Sequence, residues 1–517
     1  MRLVLPLLLL LWPAVSAHDI LIYINVIGSS HISFGNALID TLTDAGHNVD
    51  VLAVQLNSVA RVDISPRVRH LLKVPFPELS PWNRAVHFQS PFTSVESWNP
   101  FKSAWPFFYE ANIQMCKVVL ESSAVRAHMS SHRYSVLLLG AYEFCPYALA
   151  HGLAPSTPFA SYAATPAMQV QLASAGVPLL PLFENSILDS RFGHDRSRFV
   201  ERLFDTAHAW YEQFAYERGA DNYNLLFREV FGADFPDVRA IAANTSVDFV
   251  NTHPLIDEQR PTSSRFRSIG GIALAAPKPL DNATEKAVVS AKKGVVLFSF
   301  GTQVPSEKYP VDVLQSFLAA FKRFPDHVFM WKFNSSIPLD ADNVLNVDWM
   351  RQTDLLYSER VVGFITHGGL NSLTETAFAG VPVVVIPLFA DQSHNAWRAS
   401  QLGIGVAIKK TELTADRIYK ALTSILYDKS YRERSLELAQ MLRESPDNAR
   451  RTLLENVDFV AKFKSLHEHH RSAGAEVSFL VLLGLDVHLA FLASIAVVLF
   501  LTFRISLMLV PVRLLRK

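Results

Sequence analysis

The sequence predicts two α/β domains in tandem, with a ligand cleft between them and one transmembrane helix near the C-terminal end. Three observations predict this. Short β-rich apolar runs alternate with helical stretches in two separate series, the pattern of sheets covered by helices on both faces. The roughly 470 residues between the two ends are too many for one ordinary domain. The last long apolar stretch, 487–510, has the ~20 residues that span a bilayer, with room for tilt.

Taken in order, the chain opens with Arg2, an apolar run from Leu3 to Val15, and small residues at Ser16 and Ala17. That is the layout of a cleaved secretory signal over 1–17. The first domain is expected over 18–255. Ile20 to Val26 is a short apolar run that enters a loop at Gly28, as a buried parallel strand does. A helical segment from Phe34 to Ala45, a strand from Val49 to Val54, and strands at Tyr134 to Leu139 and Pro158 to Tyr162 continue the alternation. The stretch from Ala173 to Asp237 reads as mostly helical, and Ser246 to Asn251 as a strand. Prolines and glycines without long apolar runs make 256–290 the expected linker.

The second domain is expected over 291–450. Its strands are Val295 to Phe300, Val328 to Trp331, Val361 to Thr366 and Val383 to Ile386. Its helices are Asp312 to Phe324, Asn371 to Ala379 and Ala415 to Tyr427. A juxtamembrane helical segment follows over 451–486. The His tract at 467–470 reads as a solvated face rather than a metal site. The tail, 511–517, carries only positive charge, which favours the cytoplasmic side. With a cleaved signal this gives a single-pass type I protein whose body is lumenal or extracellular.

Charge narrows the function. Lys+Arg and Asp+Glu are equal at 48 each, so there is no electrostatic case for binding nucleic acid. The 35 phenylalanines suit a large core and an apolar ligand site. Cys116 and Cys145 could pair in an oxidising lumen, and Asn244, Asn282 and Asn334 stand in glycosylation sequons.

The chemistry concentrates between Trp349 and Gln392. A strand ends at Thr366, a His367-Gly368-Gly369 turn follows, and a helix starts near Asn371 and Ser372. This places backbone N–H groups and a positive helix end at the carboxyl edge of a parallel sheet, a site that holds a diphosphate without a metal. Glu375 lies one helical turn beyond Asn371, placed for ribose hydroxyls. Asp391 and Gln392 close the next strand at the same edge, an acid and an amide suited to sugar hydroxyls.

Trp349, Gln352, His367 with its two glycines, Asn371, Ser372, Glu375, Asp391 and Gln392 occur in an order and spacing that resemble the UDP-glycosyltransferase signature, the family of the glucuronosyltransferases. The likeness extends to Ser29-Ser30-His31, to Gly270-Gly271-Ile272, to the strand end from Ser299 to Thr302 and to the basic tail, and so covers essentially the whole chain, as an invertebrate-type membrane-bound member. The resemblance implies a GT-B architecture of two Rossmann-like domains, the C-terminal one holding the donor and the N-terminal one the acceptor. It implies that Trp349 stacks on uracil, that Gln352 contacts the nucleoside, and that His367, Gly369, Asn371 and Ser372 hold the diphosphate, with Ser299 and Thr302 on its flank. Glu375 would bind the ribose, and Asp391 and Gln392 the sugar.

An acceptor hydroxyl needs a base. His31 follows the first strand at the cleft edge, and it matches the family's catalytic histidine. The family supports that histidine with a carboxylate five residues before a cysteine. Here that cysteine is Cys145 and the position is Gly140, so the acid is missing from its place. Glu143 is the next acid, and either a bend brings it to His31 or it is a loop glutamate.

The expected activity is inverting transfer of glucose or glucuronic acid from its UDP-sugar to a hydroxyl of a small lipophilic acceptor. His31 acts as base, Glu143 is its candidate partner, and no metal or other cofactor takes part. The rival expectation is a UDP-sugar or lipophile-binding protein with little turnover, because of Gly140. The expected partners are the UDP-sugar, the acceptor and membrane lipid around the C-terminal helix, with homo-oligomerisation left open. The family location is the endoplasmic reticulum.

Overall fold

The computed structural model describes residues 17–56, 62–75, 91–92, 105–178, 180, 198–302, 304, 306–335 and 337–509. The expected signal, apart from Ala17, and the basic tail lie outside these residues. Two parallel sheets organise the chain. The first contains β1 (Asp19–Val26), β2 (Asn48–Gln55), β3 (His70–Val74), β4 (Val136–Gly140), β5 (Phe159–Ala163), β6 (Asp248–Val250) and β7 (Phe266–Ser268), in the order β3-β2-β1-β4-β5-β6-β7. The second contains β8 (Val295–Ser299), β9 (Val328–Lys332), β10 (Val344–Val347), β11 (Val361–Thr366), β12 (Val383–Val385) and β13 (Gly405–Ala407), in the order β10-β9-β8-β11-β12-β13.

The central strands are apolar along their whole length because both faces are covered. In β1, Leu21 and Tyr23 pack into one core layer while Ile20, Ile22, Ile24 and Val26 pack into the other. That is the alternation a strand imposes. Three edge strands escape a reading by apolar runs. β3 is largely exposed and carries charge, and β10 and β13 are only 4 and 3 residues long.

The segment 256–290, expected as a linker, contains structure belonging to both domains. β7 pairs with β6 and closes the edge of the first sheet, and Ile269 and Ile272 are buried in the first core. The helix Asn282–Ser290 then buries Val288 in the second core. The helix Ala449–Lys462 returns to the first domain. Leu453, Val457 and Val460 repeat at helical spacing and are buried in the first core, where the helix lies against β4, β5 and β7. The stretch expected as juxtamembrane thus begins with part of the first domain's wall.

Cys116 and Cys145 form a disulfide that ties the helix Trp105–Glu121 to the start of the helix Cys145–Leu153. At the far end the helix Leu485–Leu509 stands away from the body. Its stretch Leu485–Met508 has a mean hydropathy of 2.2 and no buried share, and it is the one described helix long and apolar enough to cross a membrane.

Candidate active site

Parallel strands all end at one edge of their sheet, and the two carboxyl edges meet here. Asn251, one residue past β6, donates from Nδ2 to Oδ1 of Asn371 beyond β11, at 3.2 Å. His394 and Asp257 lie 3.1 Å apart across the same seam, and Arg398 donates to the carbonyls of Ile256 and Asp257. Such a crevice outside the carboxyl ends is where open α/β sheets bind ligands.

On the second domain's side, β11 runs into the glycine turn. Gly368 has φ +83°, and a Cβ there would stand 2.5 Å from Val385 Cγ1, so only glycine fits. Gly369 caps the helix Leu370–Ala379 with no side-chain hydrogen bond to its first turn. The amides of that turn and the positive helix end remain available to an anion. His367 sits between two glycines: a Cβ on Gly301 or Gly369 would come within 2.9 or 2.8 Å of its ring. Burial, with help from Lys332, pushes the His367 pKa down to about 4, so the ring is neutral at pH 7.

Gln352 ties two helix starts together. Its Nε2 donates to Ser372 Oγ at 3.1 Å and to Glu375 Oε2 at 2.7 Å. Burial raises the pKa of Glu375. Trp349 stands 70% exposed at the rim, an open aromatic face for a base to stack on. Lys332, the last residue of β9, holds Nζ 4.5 Å from the centre of the Trp349 ring and donates to the carbonyl of Gly301 at 3.3 Å. Ser299 Oγ accepts from Gly301 N at 3.2 Å and so shapes that turn, while Thr302 is exposed beside it.

Beyond β12 the chain turns sharply, with Ala390 at φ +55°, a conformation that costs a non-glycine residue energy and recurs at functional sites. Gln392 Oε1 accepts from the amides of Leu388 and Phe389 (2.8 and 3.1 Å), which locks the turn. Asn395 Nδ2 donates to Asp391 Oδ2 at 2.8 Å and to the carbonyl of Gly368 at 2.9 Å, joining the expected sugar acid to the phosphate turn. Burial raises the Asp391 pKa.

On the first domain's side, His31 lies in the first turn of the helix Ser29–Asp44. Its Nδ1 is 3.4 Å from Ser30 Oγ, and its ring meets the edge of Tyr142 at 5.0 Å. Burial pushes its pKa down to about 4. Tyr142 is buried; burial raises its pKa, and the charge of Asp391 on the other domain adds a smaller push in the same direction.

The structure does not bring Glu143 to His31. Glu143 is buried in a pocket of donors: Tyr23 Oη at 2.8 Å, Asn25 Nδ2 at 3.1 Å, Cys145 N at 3.2 Å and Tyr223 Oη at 2.7 Å. The backbone bond from Cys145, two residues on, holds the carboxylate over its own helix start rather than toward the cleft. The position at Gly140 is filled by a neighbour. A Cβ there would stand 2.2 Å from Asn25 Oδ1, an oxygen that is buried and without a hydrogen-bond partner.

Sequence reasoning missed Lys332, Tyr142, Asn395 and Asn25. Lys332 left a legible signal, a lone cation closing the apolar run Val328–Lys332. The others act through contacts between strands or turns that no linear spacing reveals.

Two facing parallel-sheet domains, with a glycine turn and an open helix end at the second one's carboxyl edge, define a GT-B glycosyltransferase. Solved structures agree on the fold: CalG4, the calicheamicin glycosyltransferase, superposes with a TM-score of 0.57 at 15% identity, covering 86% of this chain and 99% of that one. The sequence model of the family described as UDP-glucoronosyl and UDP-glucosyl transferase matches residues 20–515, and the chain belongs to that family of enzymes that transfer sugar from UDP-sugars. Among its relatives, UDP-glucosyltransferase 2 of Dactylopius coccus is 28% identical, over 91% of this chain and 88% of that one. The 2-hydroxyacylsphingosine 1-beta-galactosyltransferase of Rattus norvegicus is 27% identical, over 93% and 87%.

Proposed function

We propose that the protein transfers glucose or glucuronic acid from the UDP-sugar to a hydroxyl of a small lipophilic acceptor, with inversion and with His31 as general base. The observation that carries this reading is the seam between the two carboxyl edges, closed by the Asn251–Asn371 bond, with His31 just past β1 on one side and the glycine turn and open helix end past β11 on the other. In this reading uracil stacks on Trp349, and Gln352 and Glu375 hold the nucleoside. The diphosphate rests on Gly369, Asn371 and Ser372 with His367 beside it, and Asp391 and Gln392 hold the hexose. Neutral His31 takes the acceptor proton as its oxygen attacks the anomeric carbon. UDP leaves toward the helix end and Lys332, which together supply the positive charge that a metal provides elsewhere.

His31 carries out this step without a carboxylate beside it, which suits an acceptor whose hydroxyl is already acidic. The body would lie in the lumen of the endoplasmic reticulum, with the C-terminal helix holding it beside lipid in which an apolar acceptor dissolves. The test is UDP release by membranes carrying the protein, given UDP-glucose or UDP-glucuronic acid and a panel of phenols and hydroxylated lipids. The expected outcome is turnover with one of the two donors, reduced about 10²–10⁴-fold by His31→Ala with UDP-sugar binding retained. Binding of UDP-sugar without turnover by the unaltered protein would overturn the reading in favour of a binding protein.

A further inference from the structure

The amino ends of the first sheet, opposite the cleft, carry a cluster that sugar transfer does not use. Asp50 of β2 and His70 of β3 are register partners on adjacent strands. The helix Ser123–Ser131 brings His128, and its C-cap is His132. Four residues apart at a helix end, these two imidazoles face the same way, a spacing that chelates divalent metals. Three elements thus converge on one point. One ligand atom from each of the four residues lies within 4.8 Å of the other three.

The distances suit hydrogen bonds and the spacing of ligands around a metal alike. His70 Nδ1 is 3.1 Å from Asp50 Oδ1, and His128 Nε2 is 3.2 Å from Asp50 Oδ2. Ligands about 2.0–2.1 Å from a tetrahedral zinc lie about 3.3 Å from one another. Asp50 is also oversubscribed. Arg69 donates to both of its oxygens (2.8 and 3.1 Å) and Tyr134 Oη donates to Oδ2 (2.8 Å), in addition to the two histidines. Five contacts from these four residues compete for about four lone-pair directions. The rings of His128 and His132 stack at 4.0 Å, and that of His70 approaches both, at 5.3 and 5.4 Å.

Charge permits a cation. Arg69 is shared between Asp50 and Asp19, so two acids outnumber the one guanidinium there. Asp50 is fully buried and fixed, whereas His70 is half exposed and offers an entry path.

We propose that Asp50, His70, His128 and His132 bind one zinc ion in a closed four-coordinate site, which pins the exposed edge strand β3 to the helix Ser123–Ser131. Three imidazoles and one carboxylate suit zinc, and four protein ligands without an open position mark a structural site rather than a catalytic one. Binding would stabilise the acceptor domain through linkage.

The test uses the full chain in detergent, made without a histidine tag and stripped with EDTA. Zinc is titrated calorimetrically, and cobalt is added to read coordination geometry in its visible spectrum. The expected result is one ion per chain, a rise in melting temperature, and a tetrahedral cobalt spectrum. His132→Ala and, separately, His70→Ala should each weaken binding at least tenfold and remove that spectrum. Using both variants guards against one that fails to fold. A control changes His467 and His469 of the exposed tract to Ala and should leave binding intact. No binding by the unaltered chain, or binding lost in the control and kept in His132→Ala and His70→Ala, overturns the proposal.

Discussion

At the scale of single residues, the proposed base His31 and the buried acid Glu143 are shifted in opposite directions. Burial lowers the His31 pKa to about 4, so the neutral ring needed to accept a proton persists through the neutral range. The value of kcat/KM should be flat in its acid limb from pH 8 to about pH 5 and fall only as pH drops through about 4. An unperturbed histidine would lose activity near 6.5. Glu143 behaves otherwise: burial raises its pKa to about 7 against the four donors that favour its charged form. Native Glu143 therefore binds its proton more tightly than the unfolded chain between about pH 4.5 and 7, and its contribution to stability declines as pH rises through that window. Glu143→Gln mimics the protonated acid that Glu143 is at pH 5, so the two proteins should be similarly stable there. At pH 8, where the buried acid must ionise, the variant should be the more stable by up to about 3 kcal/mol. Denaturation at the two pH values measures this, and the acid limb of activity should be unmoved in the variant, because Glu143 does not touch His31. Both residues can be placed on the chain by their local pattern, but that pattern does not say where Glu143 points. Its direction depends on Tyr23 and Tyr223, 120 and 80 residues away in sequence.

At the scale of elements, the glycine turn and helix start of the proposed donor site were legible because their geometry is local. Strand end, glycine turn and helix start fall within a dozen residues, and the glycines answer to Val385 and to the His367 ring next door. Gln352, Ser372 and Glu375 share hydrogen bonds because two helix starts are adjacent in the fold. Edge strands were illegible for the converse reason: β3 has only one neighbour and needs little apolar surface. Lys332 belongs to this scale because it stands at the end of β9, between Gly301 and Trp349. Lys332→Met keeps the length of the side chain and removes its charge. UDP-sugar affinity should fall by about tenfold, the value of roughly 1.4 kcal/mol for one charge-assisted contact. Its salt dependence should weaken as well, and titration calorimetry at two ionic strengths reads both.

At the scale of the whole molecule, the order of elements decides what the membrane segment can be separated from. The chain leaves the first domain near Ile272, builds the second, and returns through the helix Ala449–Lys462 to cover β4, β5 and β7 before it reaches the apolar helix. Leu453, Val457 and Val460 are fully buried there. Burying three such side chains is worth about 1.5–3 kcal/mol each, comparable in sum to the 5–15 kcal/mol by which a domain is stable. A chain ending at residue 448 should therefore expose one face of the first sheet and aggregate, though both sheets are nominally complete. A chain ending at 484 keeps that helix and the close packing of Gly474 on Gly176, and loses only a helix whose apolar stretch touches none of the body's core. It should be soluble, melt cooperatively and bind UDP-sugar as tightly as the full chain. Comparing the two truncations by melting curve and UDP-sugar titration tests this directly. Turnover of the longer truncation should match the full chain for a water-soluble phenol and fall behind it for an acceptor dissolved in vesicles. That pair of outcomes would place the chemistry in the cleft and leave the apolar helix its nearness to lipid.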